Sequence, residues 1–301
     1  MLEFEHWFRT EEACRDYLIG LRWPGGFRCP GCEGSQHWPK SRGLLRCGRC
    51  RRDTSVMAGT IFSRSHLPLR VWFRAAWWAT NQKSGVTAIG LQRALGLGSY
   101  RTAWGCLHKL RRAMLRPGRD QLQDIVEVDE TIVGGRQRGQ GRLHLGPTKS
   151  LVGIAVEVRG KGSGRVRLQR IANTSGESLE RFVRQSVAPG SKVRTDGRWG
   201  YTGLARFGYR HDPVVLSGKG DQASTVFLPR VHRVSSLLKR WLLGVHHGGI
   251  SKRHLDYYLD EFSFRFNRRS SPHRGQLCYR LLLQAVAIKH TPIHLLSEAP
   301  K

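Results

Sequence analysis

The sequence predicts an α/β domain on its C-terminal side, preceded by a small cysteine-rich module and a helical segment. Three observations carry that reading. Four cysteines stand as two CxxC pairs within residues 29–50. Apolar residues recur at helical spacing through much of residues 65–114, and from residue 124 the period changes to two before helical patterns return. Strands first, then strand and helix mixed, then helices suit a sheet covered by helices.

Composition narrows the partners. The chain has 51 Lys and Arg against 22 Asp and Glu over 301 residues, a formal charge of +29. Each phosphate met by a cation releases condensed counterions, so this excess points to a polyanion. No run of about 18 apolar residues occurs, which predicts no membrane span. The N-terminal "MLEFEHWFRTEEACRDYL" lacks the basic and apolar blocks of a signal peptide, so an intracellular protein is expected. In a reducing compartment, seven cysteines favour metal ligation over a disulfide framework.

Residues 1–28 read as a short helix and a turn at Pro24 and its paired glycines. Cys29 and Cys32, then Cys47 and Cys50 after 14 intervening residues, follow. Each CxxC presents two thiolates from one tight turn, and two such turns complete a tetrahedral shell suited to structural zinc (Zn2+). A redox CxxC or buried free thiols are the alternatives. Gly31 and Gly48 are expected to permit the turns, and Arg49 and Arg51 beside the second pair offer a DNA contact. Cys14, Cys106 and Cys278 read as core residues.

Val71, Phe73, Ala76, Trp77 and Thr80 are spaced for the buried face of a helix beginning near Pro68. Residues 84–114 give two helical stretches around a glycine break at 96–98, a helix–turn–helix pattern. The second helix would present Arg101, Lys109, Arg111 and Arg112 to a DNA groove, or to solvent as an ordinary basic face. Pro117 and Gly118 mark a linker. Stretches 124–133, 150–158 and 164–173 alternate as strands, the last two joined by the hairpin turn "RGKGSG". Thr174 and Glu177 form a capping-box pattern opening the next helix. "SKVRTD" and "RHDPVVLS" read as a fourth and a fifth strand, and helices return in 228–243, 252–267 and 275–289. The basic loop 134–149 reads equally as a DNA grip or a connector, and the cluster 265–274 as a phosphate-facing helix end. Expected modules are 1–60 (helix and ribbon), 61–118 (helix–turn–helix-like) and 119–301 (catalytic).

In "EVDETIVGG" the alternation sets Glu127 and Asp129 on one face, and Asp196 ends a later strand in "KVRTDGRWGY". Together with "CPGC…CGRC", "SVMAGTIFSRSHLPLRVWFRA" and "SLLKRWLLGVHHGGISKRHLDYYLDEFSFRFNRR", these stretches make the chain resemble the DDE transposases of bacterial insertion sequences. The resemblance is to the zinc-ribbon-bearing ISXO-like group, the fifteen-ninety-five family, and it covers nearly the whole length. It implies an RNase H-like catalytic domain, a mixed sheet flanked by helices, with Asp129 and Asp196 as its first two acidic residues. Family members often carry Glu or Asn seven residues before a helical lysine. Here that lysine is Lys239 and the earlier position is His232, so the implied set is Asp129, Asp196, His232 and Lys239. Seven residues are about two helical turns, which puts His232 and Lys239 on one face.

Two aspartates suit magnesium, whereas an imidazole ligand shifts preference toward manganese; His232 would either ligate the metal or orient the nucleophile. Lys239 would meet a phosphate as a point charge. The resemblance implies binding of double-stranded element ends and target DNA, action as a homo-oligomer, and a cytoplasmic, nucleoid-associated location. Other readings are a decayed, DNA-binding relative and a nuclease without joining activity.

Overall fold

The computed structural model describes residues 2–82, 84–115, 118–134, 149–214, 227–246 and 250–297. Two compact units divide the chain, residues 1–116 with 271–300 and residues 117–270.

The first unit opens with helices α1 (Leu2–Trp7) and α2 (Glu11–Arg22). Thr10 caps α2 by accepting the Ala13 N–H at 3.1 Å. An antiparallel three-stranded ribbon follows, β1 (His37–Lys40), β2 (Leu44–Cys47) and β3 (Asp53–Ser55). Phe27, Leu45 and two of the cysteines make a core too small to hold a fold unaided. Helix α3 (Leu69–Asn81) buries Phe73, Ala76 and Thr80 as its spacing predicts, but Val71 and Trp77 are only half-buried. Trp72, Ala75 and Ala79 complete the buried stripe instead. Helices α4 (Ala88–Leu95) and α5 (Tyr100–Ala113) flank the expected glycine break, where Gly96 takes a φ of 62° to close α4.

The second unit is built on a mixed five-stranded sheet. Strands β4 (Ile125–Val133), β5 (Ser150–Arg159) and β6 (Gly162–Ile171) form an antiparallel meander. Helix α6 (Gly176–Ser186) then crosses over to β7 (Lys192–Thr195), which lies parallel to β4, and β8 (Arg210–Pro213) lies parallel to β7. The order is β6-β5-β4-β7-β8. Alternation along each strand divides the apolar residues between two faces. Val126, Val128, Ala155 and Val193 pack with Leu179 and Phe182 of α6. Val152, Ile154, Val156 and Leu168 pack with α7 (Pro229–His246) and α8 (Leu255–Phe266) on the other face. This is the helix-flanked mixed sheet the sequence leads one to expect.

Three local readings change. The cap of α6 is Ser175, whose Oγ accepts the Ser178 N–H at 3.4 Å, rather than Thr174, and Glu177 pairs with Arg181. The fifth strand stops at Pro213; the remainder of "RHDPVVLS" past residue 214, and residues 135–148 of the basic loop, lie outside the described residues. Finally, α9 (Arg274–Ala287) packs on α2, α3 and α5, and α10 (Ile293–Ser297) on α5. The C-terminal stretch assigned by its position to a 119–301 module therefore belongs to the first unit, because the apolar face of α9 completes that unit's core.

Candidate active site and zinc centre

Parallel pairing brings the two aspartates together. The β4–β7 register sets Ile125 beside Lys192 and Glu127 beside Arg194, and two residues further along it reaches Asp129 and Asp196. Asp196 lies just past the end of β7, where Gly197 takes a φ of 78° and lets the chain turn off the sheet. Asp196 Oδ1 accepts the Arg198 N–H at 3.2 Å, which holds the turn.

Glu127 and Asp129 do share the face toward α7, but their roles differ. Glu127 is fully buried and accepts the backbone N–H groups of Arg230 and Val231 at 2.7 and 2.9 Å. Its other oxygen meets the Arg230 guanidinium at 2.8 Å. A carboxylate at a helix N-terminus satisfies orphan donors and complements the helix dipole. It thereby fixes α7 against β4. His232, Ser235 and Lys239 follow on that helix at positions i, i+3 and i+7. His232 Nε2 lies 3.9 Å from Asp129 Oδ2, Ser235 hydrogen-bonds Thr131 of β4 at 3.0 Å, and Asp129 raises the Lys239 pKa against a larger lowering from desolvation. His232 is outside hydrogen-bonding range of Asp129, and its Nε2 has no hydrogen-bond partner among the described residues. Burial lowers the His232 pKa despite the attraction of Glu127 and Asp196, favouring the neutral ring.

The sequence reading missed Glu130. Oxygens of Asp129, Glu130 and Asp196 lie within 4.8 Å of one another. Strand alternation puts Glu130 on the opposite face from Asp129, where it accepts the Tyr201 hydroxyl at 2.9 Å. Because β7 ends at Thr195, no strand among the described residues backs that side of β4 past Val128, and carboxylates from both faces meet around the open edge. Arg198 bridges the group, 2.6 Å from Glu130 and 3.0 Å from Asp196. Burial, with repulsion from Glu130 and Asp196, pushes the Asp129 carboxyl up to about 7. Crowded carboxylate oxygens are the donor set a hard divalent cation such as magnesium or manganese prefers, so these residues fit such an ion.

The four ribbon cysteines also converge. Cys29 and Cys50 sulfurs lie 3.5 Å apart and those of Cys32 and Cys47 3.6 Å apart. Zinc–sulfur bonds of about 2.3 Å in a tetrahedron place sulfurs roughly 3.8 Å apart, so the cluster fits zinc. Backbone N–H groups of Cys50 and Arg49 pull the Cys47 thiol down to about 6 against its burial, favouring the ligating thiolate. The glycines act differently from expectation. Glu33 and Arg51, directly after each pair, take the left-handed φ of 59° and 61°. Gly48 instead supplies space: a Cβ there would lie 2.7 Å from the Trp38 ring.

The expected DNA-contacting cations separate into two groups. Arg49, Arg51 and Arg101 are exposed. Lys109 and Arg111 are buried, a correction to the cationic face read from sequence. Helix α5 is enclosed by α3, α4, α9 and α10. Lys109 reaches Ser63 O and His290 at 3.4 Å, Arg111 donates to Val86 O at 3.2 Å, and Arg112, half-buried, bonds Thr291. Lys239 is exposed on α7.

Comparison with known proteins agrees with this layout. Residues 121–267 match the ISXO2-like transposase domain family, and residues 9–53 match the transposase zinc-ribbon domain. A relative from Halobacterium salinarum, described as an uncharacterized protein in transposable element ISH50, is 28% identical over 86% of this chain and 91% of its own length. Among solved structures, a pre-cleavage Mos1 transpososome aligns over 73% of this chain and 79% of its own, at 12% identity and a TM-score of 0.21, too low to carry an argument.

Proposed function

Because the chain belongs to the ISXO2-like transposases of insertion sequences and carries their zinc ribbon, we propose that it cuts element ends to expose 3′-hydroxyls and joins them to target DNA. The observation that carries this reading is the convergence of Asp129 and Asp196, from adjacent strands, with His232 at 3.9 Å from Asp129; Lys239 follows two turns later on the same helix.

Asp129 and Asp196, with Glu130 beside them, would hold magnesium or manganese, which would supply activation of an attacking oxygen and stabilisation of a leaving one. The remaining work falls to the protein. His232, neutral and with Nε2 free, accepts a hydrogen bond from the attacking water or 3′-hydroxyl and orients it. Lys239 neutralises a phosphate oxygen. Glu127 holds α7, and with it both side chains, at the correct height along β4. Arg49, Arg51 and Arg101 bind the phosphates of the terminal repeats, and the protein works as a homo-oligomer on double-stranded DNA in the nucleoid.

Single-turnover cleavage of a labelled element end tests the roles. Asp129→Asn and Asp196→Asn should abolish cleavage in both metals while end binding persists. His232→Ala should slow cleavage about 10²- to 10⁴-fold, the range for a positioned acid–base group. Cleavage by Asp129→Asn at the wild-type rate would overturn the site. End binding without cleavage in either metal would favour a DNA-binding protein acting by occupancy, and cleavage without joining a nuclease.

A further inference from the structure

Next to the carboxylates, a second feature of the same sheet bears on how DNA lies across it. A cavity of about 530 Å³ opens where β5 begins and β6 ends. Lys149, Arg170 and Lys252 line it over a floor that includes Ser150, Leu151 and Ile171. Arg170 gives one guanidinium N–H to Asp256 at 3.0 Å and keeps donors to spare. Neither lysine has an acidic partner among the described residues, so the cavity carries unmatched positive charge.

Its position follows from strand register. Asp129 pairs with Ile154 on β5, and Leu151, on the cavity floor, lies three residues from Ile154 toward the end of the sheet where β4 and β7 finish. At about 3.3 Å per residue this is roughly 10 Å. The carboxylates and the cavity therefore lie toward the same end of the sheet.

We infer that this cavity is a phosphodiester-binding groove, in which Lys149, Arg170 and Lys252 hold the backbone of the duplex whose scissile bond lies at Asp129 and Asp196. The inference rests on the transposase reading and adds to it a place for the flanking DNA. Three cations lining one cavity suit backbone oxygens, which they grip without reading sequence. A groove that only positions DNA contributes to affinity on any sequence.

The test is duplex binding by fluorescence anisotropy with the full-length protein, over salt from about 50 to about 200 mM. The double variant Lys149→Gln with Lys252→Gln leaves the Arg170–Asp256 pair in place, and an unchanged melting temperature will report an intact fold. Removing one phosphate-neutralising cation should reduce the slope of log affinity against log salt by about 0.9, so the double variant's slope should fall by about 1.8 on element ends and on unrelated duplex alike. Lys161→Gln, in the β5–β6 turn at the opposite end of the sheet, should leave the slope unchanged. A folded double variant with the wild-type slope would overturn the groove while leaving the transposase reading intact. Wild-type protein that binds no duplex at all would overturn both.

Discussion

Replacing Glu127 should loosen the helix that carries half of the proposed catalytic set. The side chain is fully buried and accepts three hydrogen bonds, two from backbone N–H groups at the start of α7 and one from the Arg230 guanidinium. Glu127→Ala leaves the two amides and Arg230 Nη1 without their acceptor and the guanidinium without its counter-charge, while its Nε and Nη2 keep the Gly162 and Gly160 carbonyls. Breaking a buried charge pair from one side costs about 3–5 kcal/mol. Glu127→Gln keeps the shape but removes the charge, at about 1.5–3 kcal/mol for hydrogen bonds to a charged group. Hydrogen exchange on the 229–235 segment reads this directly. At 1.4 kcal/mol per factor of ten, the alanine variant should exchange there roughly 100- to 4,000-fold faster, and the glutamine variant less. Cleavage should fall with it, since His232 and Lys239 ride on the loosened turn. Wild-type protection of this segment in Glu127→Ala would refute the argument that Glu127 positions α7.

Three other outcomes follow from the same reasoning. Cys47→Ser should lower bound zinc from about one ion per chain to none by elemental analysis and unfold the ribbon, because its core is small and the metal supplies much of the folding energy; full zinc retention would contradict the four-sulfur site. Gly153→Ala should cost about 1–3 kcal/mol in urea unfolding, since its Cβ would meet the Phe182 ring at 2.8 Å. Glu157 is subject to burial, which raises its pKa, but hydrogen bonds from Arg165 and the Gln123 N–H pull it below the ordinary 4.5 on balance. A depressed folded-state pKa gives stability that is full above the unfolded value and disappears as pH falls through the folded one. The acid limb of a stability profile should therefore flatten in Glu157→Gln, and an unchanged limb would show that Glu157 contributes nothing to it.

Local chemistry was legible in the chain, while long-range neighbourhood was not. The cysteine pairs announce a metal ribbon because ligand spacing is a short-range property. Asp129 and Asp196 stand out through alternation and strand ends, and His232 and Lys239 through helical spacing on top of the family resemblance. Glu130 did not, because alternation argues that it faces away from Asp129; only the early end of β7 lets the two carboxylates meet. Arg198 and Tyr201 complete that group through tertiary interactions with no sequence period. Lys109 and Arg111 misled for the same reason: a helix with cations among apolar residues reads as half-exposed, and nothing local says that four other helices enclose it. The place of α9 was likewise hidden, since chain position is no guide to which core a helix completes.

Joining of pre-cut element ends to a supercoiled plasmid tests the central claim most directly, with wild type, Asp196→Ala and His232→Ala compared in magnesium and manganese. Wild-type protein should yield joined products in at least one metal and Asp196→Ala none. His232→Ala should yield them slowly, because its nucleophile is no longer oriented. Joined products from Asp196→Ala at the wild-type level would contradict the assignment of the carboxylate site.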